Sequence, residues 1–102
     1  MIRPLERDHS CMRHFAYRMD LEGPAAVGDF VALARADGFS VASSPLPSLV
    51  KLVDACGNEL LVVATTGRVQ LRVAYTVPPE ARRHAAEAVY CRLVRASLRS
   101  VA

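Results

Sequence analysis

The feature that most constrains this chain is an unbroken apolar run near its middle, Leu60 to Ala64. The segment that contains it, residues 59–65, is short and flanked by turn residues, which predicts a strand in the centre of a sheet. Successive side chains of a strand point to opposite faces, so this strand is apolar on both sides. A sheet built around it must be covered on both faces or must offer one apolar face to a partner.

Further strands and two helices are predicted around this run. The strand segments, which alternate apolar and polar residues or are bounded by turns, are 11–19, 39–43, 49–54 and 68–76. Residues 24–37 carry apolar side chains at three- and four-residue spacing, and Gly38 is suited to end that helix. A second helix is predicted to begin around Pro79 and to extend to about Ser100.

The element order β-α-β-β-β-β-α predicts an α+β fold. We expect a two-layer sandwich in which two helices cover one face of a mostly antiparallel, four- to five-stranded sheet. Residues 1–10 are predicted to form an N-terminal arm, and residues 11–102 a single α+β domain. A chain of 102 residues, 52% hydrophobic and 23% charged, is typical of a soluble domain with one core.

Composition also indicates the cellular setting. No apolar run is long enough for a membrane helix, so no membrane partner is expected. The charged N-terminus, residues 1–8, lacks the apolar stretch of a secretory signal. Three cysteines, Cys11, Cys56 and Cys91, are widely spaced and odd in number, which favours reduced thiols in the cytoplasm.

The two-sided apolar strand leads to the first functional hypothesis. Two helices can cover only one face of the sheet, so the apolar residues of the other face predict a homodimer interface. One alternative is a cleft for an apolar ligand, and another is a central strand that the N-terminal arm partly covers. The residues assigned to this interface are Leu60, Val62, Ala64, Leu49 and Val53. The chain is therefore predicted to be a small cytosolic, non-catalytic module that acts through protein–protein interaction, with its own copy as the favoured partner.

The arginines support a second hypothesis, binding of nucleic acid or of another anionic ligand. Arg92, Arg95 and Arg99 recur at three- and four-residue spacing in the last helix, and Arg68 and Arg72 are added as further candidates. The net charge of +3 permits an acidic partner without demanding one. Cations near a helix C-terminus also interact favourably with the helix dipole, so a solvated basic face stays the competing interpretation.

A small enzyme is the third hypothesis, and no motif favours it. The chain has no glycine-rich phosphate loop, no HExxH, no GxSxG and no paired carboxylates at a recognisable spacing. His84 and Cys91 lie two helical turns apart, about 10.5 Å along the axis, which is too far for a catalytic pair. No catalytic residue and no cofactor are predicted.

One cluster of soft-metal ligands lies near the N-terminus. His9, Cys11, Met12 and His14 fall within six residues. If this segment is a strand, its side chains alternate between the two faces and at most two of them converge. No metal site is therefore predicted.

A short part of the chain resembles known families. The stretch His14-Phe15-Ala16-Tyr17, a helix, and then Gly38-Phe39-Ser40-Val41 is similar to the opening strand–helix–strand unit of the ribonuclease E inhibitor B family and of ACT regulatory domains. The Tyr-Asp-Gly-Trp signature of the inhibitor family is missing, since the chain has no Trp. The closing strand of ACT domains is missing as well, so no functional residue is transferred.

Overall fold

The computed structural model describes residues 2–7, 16–44 and 46–101, in which one antiparallel sheet packs against two helices. The six strands are β1 (Glu6–Arg7), β2 (Ala16–Arg18), β3 (Ser40–Ala42), β4 (Leu49–Val53), β5 (Glu59–Val63) and β6 (Val69–Arg72). Their order across the sheet is β1-β2-β6-β5-β4-β3. The predicted α+β fold is confirmed, with one strand more than the upper number expected.

Both helices begin with a short 3-10 turn that contains proline. α1 (Val27–Ala36) follows the turn Pro24–Ala26, and α2 (Arg82–Val101) follows the turn Pro79–Ala81. Proline suits this position because the first N–H groups of a helix have no partner inside the helix. α1 ends at Ala36, and Gly38 follows it as predicted, with a φ of 102° that an L side chain rarely adopts.

The core lies between the helices and one face of the sheet. Alternation along the strands and the three- and four-residue spacing of the helices direct their apolar side chains into this layer. Its largest fully buried side chains are Phe30, Met19, Leu52, Leu60, Leu71, Leu93, Val62 and Val69. On α2, the residues that pack there include Ala86, Val89 and Leu93, in agreement with the predicted helix face.

The segment predicted as an N-terminal arm contributes to the sheet. Glu6 and Arg7 pair with Arg18 and Tyr17, and Ile2 forms an isolated bridge with Leu21. Two paired residues are too few to show the alternation by which a strand is recognised in sequence. Of the strand predicted over 11–19, residues 16–18 form β2, whereas 11–15 lie outside the described residues.

Two hairpins connect the central strands. The β4–β5 turn is closed by Asp54, whose Oδ1 accepts hydrogen bonds from the N–H groups of Cys56 and Asn58. The β5–β6 turn depends on Gly67, whose N–H donates to the carbonyl of Val63 at 2.8 Å. These tight turns place β4, β5 and β6 in a meander and set their register.

No helix within the described parts of the chain combines the length and the apolar character that crossing a membrane requires.

Candidate functional site

The face of the sheet turned away from the helices is the candidate site, and we refer to it as the open face. Leu60, Val62 and Leu71 point into the core, so the residues that alternate with them point to the open face. Strand register places these residues on it: Arg18, Leu49, Lys51, Val53, Glu59, Leu61, Val63, Gln70 and Arg72. All of them are half-buried.

The sequence hypothesis assigned the wrong residues of β5 to this face. Leu60 and Val62 are 0% exposed and lie beneath the helices, and Ala64 is packed against the same core. The other two predicted residues, Leu49 and Val53, do lie on the open face, opposite Val63 and Glu59. Because β5 is apolar on both sides, its sequence does not reveal which side the helices cover.

An apolar strip crosses the middle of the open face. Leu49 of β4 lies directly across from Val63 of β5, and Leu61 follows on the same side of β5. These three side chains form the floor of a shallow groove of about 260 Å³. Arg18, Arg68 and Gln70 line the groove as well, so an apolar floor is bordered by hydrogen-bond donors.

Charges of both signs surround the strip. Lys51 and Glu59 form an ion pair with an N–O distance of 3.4 Å. On β6, directly across from Glu59, Arg72 Nε donates to Gln70 Oε1 at 2.8 Å. Partly exposed pairs of this kind contribute little to folding stability, but they set the electrostatic pattern that a partner would meet.

Asp20 organises one end of the open face, a role that the sequence analysis did not identify. Its Oδ1 accepts the backbone N–H of Val69 at 3.0 Å, and its Oδ2 pairs with Arg18. Its carbonyl accepts the N–H of Arg3 at 2.8 Å. Asp20 thereby joins the N-terminal segment, β2 and β6, and it holds Arg18 at the rim of the groove. The sequence signal was a single aspartate after a strand, which capping of the next helix explains equally well.

The five arginines of the second hypothesis do not form one surface. Arg72 lies on the open face and Arg68 lines its groove, whereas the other three belong to α2, on the opposite side of the sheet. Arg92 is also engaged within the fold, because its Nε and Nη2 donate to the side chain and the carbonyl of Asp37 at 3.2 and 3.0 Å. Arg95 and Arg99 line a shallow depression of about 220 Å³ beside that pair.

The cysteines and the cluster of soft-metal ligands form no metal site among the described residues. Cys56 and Cys91 are free and exposed. The cluster His9, Cys11, Met12 and His14 lies outside the described residues. Among the residues that are described, no group of three or more His, Cys, Asp or Glu side chains is arranged to hold a metal ion.

Comparison of the chain with family models, with curated proteins and with solved structures finds no match. Its own geometry and chemistry are therefore the basis for a functional assignment.

Proposed function

We propose that this chain is a non-catalytic cytosolic module that forms a homodimer through the open face of its sheet. The observation that carries the proposal is the strip of Leu49, Leu61 and Val63 on a sheet face that neither helix covers. When a partner removes apolar side chains from water, the free energy falls by about 25 cal/mol per Å² of apolar surface buried. Exposed thiols such as Cys56 fit a reducing compartment.

A second copy of this chain is the proposed partner. In a twofold dimer the same surface meets itself, so the face has to be self-complementary. The open face carries cations at Lys51, Arg18 and Arg72 together with an anion at Glu59. A twofold axis near Leu61 would stack the apolar strips and allow cationic residues of one copy to approach the acidic residue of the other.

The size of the face indicates a reversible dimer. Six strands about 4.8 Å apart, with central strands of about five residues, cover roughly 400 Å² on each copy. Specific interfaces bury about 800 Å² per partner, and smaller ones belong to weak, transient complexes. We therefore expect a weak dimer with a dissociation constant in the micromolar range, which corresponds to about 8 kcal/mol of binding free energy.

An apolar small molecule is the less favoured occupant. Ligand pockets commonly enclose about 300–1,000 Å³ and surround most of the ligand. The groove encloses about 260 Å³ and is bordered by Arg18, Arg68 and Gln70. A shallow floor of this size leaves much of a drug-sized ligand in water.

Isotope-filtered NMR tests the proposed face directly. In an equal mixture of labelled and unlabelled chain, we expect intermolecular contacts from the methyl groups of Leu61 and Val63. The matched control is Leu98, a leucine on α2 that is 68% exposed but not on this face. Intermolecular contacts from Leu98 and none from Leu61 or Val63 would assign any dimer to another surface and overturn the proposal.

A further inference from the structure

A second concave site lies on the helix side of the sheet, at the edge formed by β1 and β2. It is a groove of about 450 Å³ lined by Arg7, Tyr17, Pro79 and Arg83. Arg7 and Tyr17 are register partners on neighbouring strands, and Pro79 and Arg83 belong to the beginning of the last helix. The groove is therefore separate from the open face.

Tyr17 has an unsatisfied polar group at this groove. The residue is only 4% exposed, since its ring is part of the core. Among the described residues its hydroxyl has no hydrogen-bond partner. Every fully buried side-chain oxygen or nitrogen in the described chain does have one, so this hydroxyl is not fully buried. The hydroxyl must then lie at the small accessible part of the residue, where Tyr17 lines the groove. A buried tyrosine with its hydroxyl directed to a cavity is ready to donate to a ligand.

Two arginines line the groove together with Tyr17. The Cζ atom of Arg83 lies 5.7 Å from the centroid of the Tyr17 ring, a cation–π distance. Arg83 Nε also donates to Glu87 Oε1 at 2.9 Å, but both side chains are about half exposed, and such i,i+4 pairs are weak. Arg7 lines the groove from the strand side. A planar fork of N–H donors matches the oxygens of a phosphate group.

The start of the helix adds to the positive potential. The wall residue Pro79 begins the turn that leads into α2, and the residue before it, Pro78, provides no side-chain cap. A helix of 20 residues carries a partial positive charge at this end. Glu80 in the first turn offsets part of that charge. The groove thus brings together a tyrosine, two arginines and the turn that leads into a helix.

We propose that this groove binds the phosphate group of a small organic phosphate monoester. Arg7 and Arg83 would hold the phosphate oxygens, and the Tyr17 hydroxyl would donate a hydrogen bond to one of them. The organic part would rest against Pro79 and the edge of the Tyr17 ring. The volume of about 450 Å³ exceeds what inorganic phosphate needs and falls within the range of small-molecule sites.

Titration with phenyl phosphate, followed by the backbone amide NMR spectrum, tests the proposal, with benzoate as the carboxylate comparison. The variants are Tyr17→Phe, which removes only the hydroxyl, and Arg83→Gln, which removes the charge. The matched control is Arg99→Gln, at the far end of the same helix.

We expect saturable binding of phenyl phosphate at millimolar concentration or below, with shifts centred on Tyr17 and Arg83. Tyr17→Phe and Arg83→Gln should each weaken it about tenfold, and Arg99→Gln should leave it unchanged. Benzoate should bind more weakly because it carries one charge instead of two at neutral pH. The proposal is overturned if binding does not saturate, if benzoate binds as tightly, or if Arg99→Gln weakens binding as much as Arg83→Gln. Should Tyr17→Phe fail to fold, Arg83→Gln and Arg99→Gln still decide the outcome.

Discussion

Leu60 and Leu61 are neighbours in β5 and lie on opposite faces of the sheet. Leu60 is fully buried beneath the helices, between Leu52 of β4 and Leu71 of β6. Leu61 is half-buried on the open face, between Lys51 and Gln70. Two chemically identical residues, adjacent in the chain, therefore have different surroundings: the first is buried in the core, and the second lies half-buried on the open face.

This difference predicts unequal costs for the same substitution. Leu60→Ala should destabilise the monomer by about 2–5 kcal/mol, because it leaves a cavity in the core. Leu61→Ala should cost about 1 kcal/mol or less, since it removes only partly buried surface. Urea unfolding at a concentration low enough to keep the chain monomeric measures both values. Equal losses, or a larger loss for Leu61→Ala, would contradict the assignment of the two faces.

The backbone at Gly67 predicts that an added side chain there destabilises the fold. Its φ is 81°, and an added Cβ would lie 2.7 Å from the carbonyl oxygen of Gly23. Gly67→Ala should therefore destabilise the fold by more than about 2 kcal/mol, since the strain of a left-handed conformation adds to a backbone clash. Gly28→Ala is the control: this glycine lies inside α1 with open space around it, and alanine there should stabilise by about 0.5–1 kcal/mol. Thermal unfolding curves of the two variants should shift in opposite directions, and similar shifts would be inconsistent with this geometry.

The hydrogen bonds of the Asn58 side chain predict that removing its amide lowers the stability of the fold. Its Oδ1 accepts the buried N–H of Ala74 at 3.0 Å, and its Nδ2 donates to Asp54 at 3.1 Å. Asn58→Ala should cost about 1–3 kcal/mol because the N–H of Ala74 loses its partner. Ser44→Ala, which removes an exposed turn hydroxyl, should change stability by less than about 0.5 kcal/mol. Chemical denaturation compares them, and near-equal midpoints would argue against a structural role for the Asn58 amide.

Local signals in the sequence were sufficient to predict most of the fold. The spacing of Phe30 and Ala34 with Gly38 after them predicted α1, and the alternation from Val69 to Leu71 predicted β6, because these patterns reflect burial on one side of one element. β1 was missed because two residues have no period. The face of β5 was assigned wrongly because the side that the helices cover is a property of the whole packing.

The candidate sites were harder to predict for the same reason. The open face required the register of three strands, and the Tyr17 groove brings together residues from both ends of the chain. The spacing of Arg92, Arg95 and Arg99 indicated a basic helix face, but it gave no sign that Arg92 is bonded to Asp37 at the end of α1. Contacts between residues distant in sequence leave no periodic trace.

The basic face of α2 yields a prediction about polyanions. Arg92 is engaged by Asp37, so the test uses the double variant Arg95→Glu with Arg99→Glu, which leaves that pair intact. If the face is only solvated, the unmodified protein should elute from heparin at low salt, and the double variant should lose no more than a modest helix-dipole contribution, about 1–2 kcal/mol in total. Tight retention at physiological salt that the double variant abolishes would instead make polyanion binding the leading function.

Sedimentation equilibrium tests the central claim, dimerisation through the open face, most directly. We expect the unmodified chain to be largely dimeric at about 100 μM, a concentration above a micromolar dissociation constant. Leu61→Glu should be a folded monomer, because it places charges at the centre of both contacting strips, whereas Leu98→Glu on α2 should remain a dimer. Val62→Glu is unsuitable as a test of dimerisation, since Val62 is in the core and the change would unfold the chain. An unmodified chain that sediments as a monomer at about 100 μM, or a Leu61→Glu variant that stays dimeric, would contradict the account.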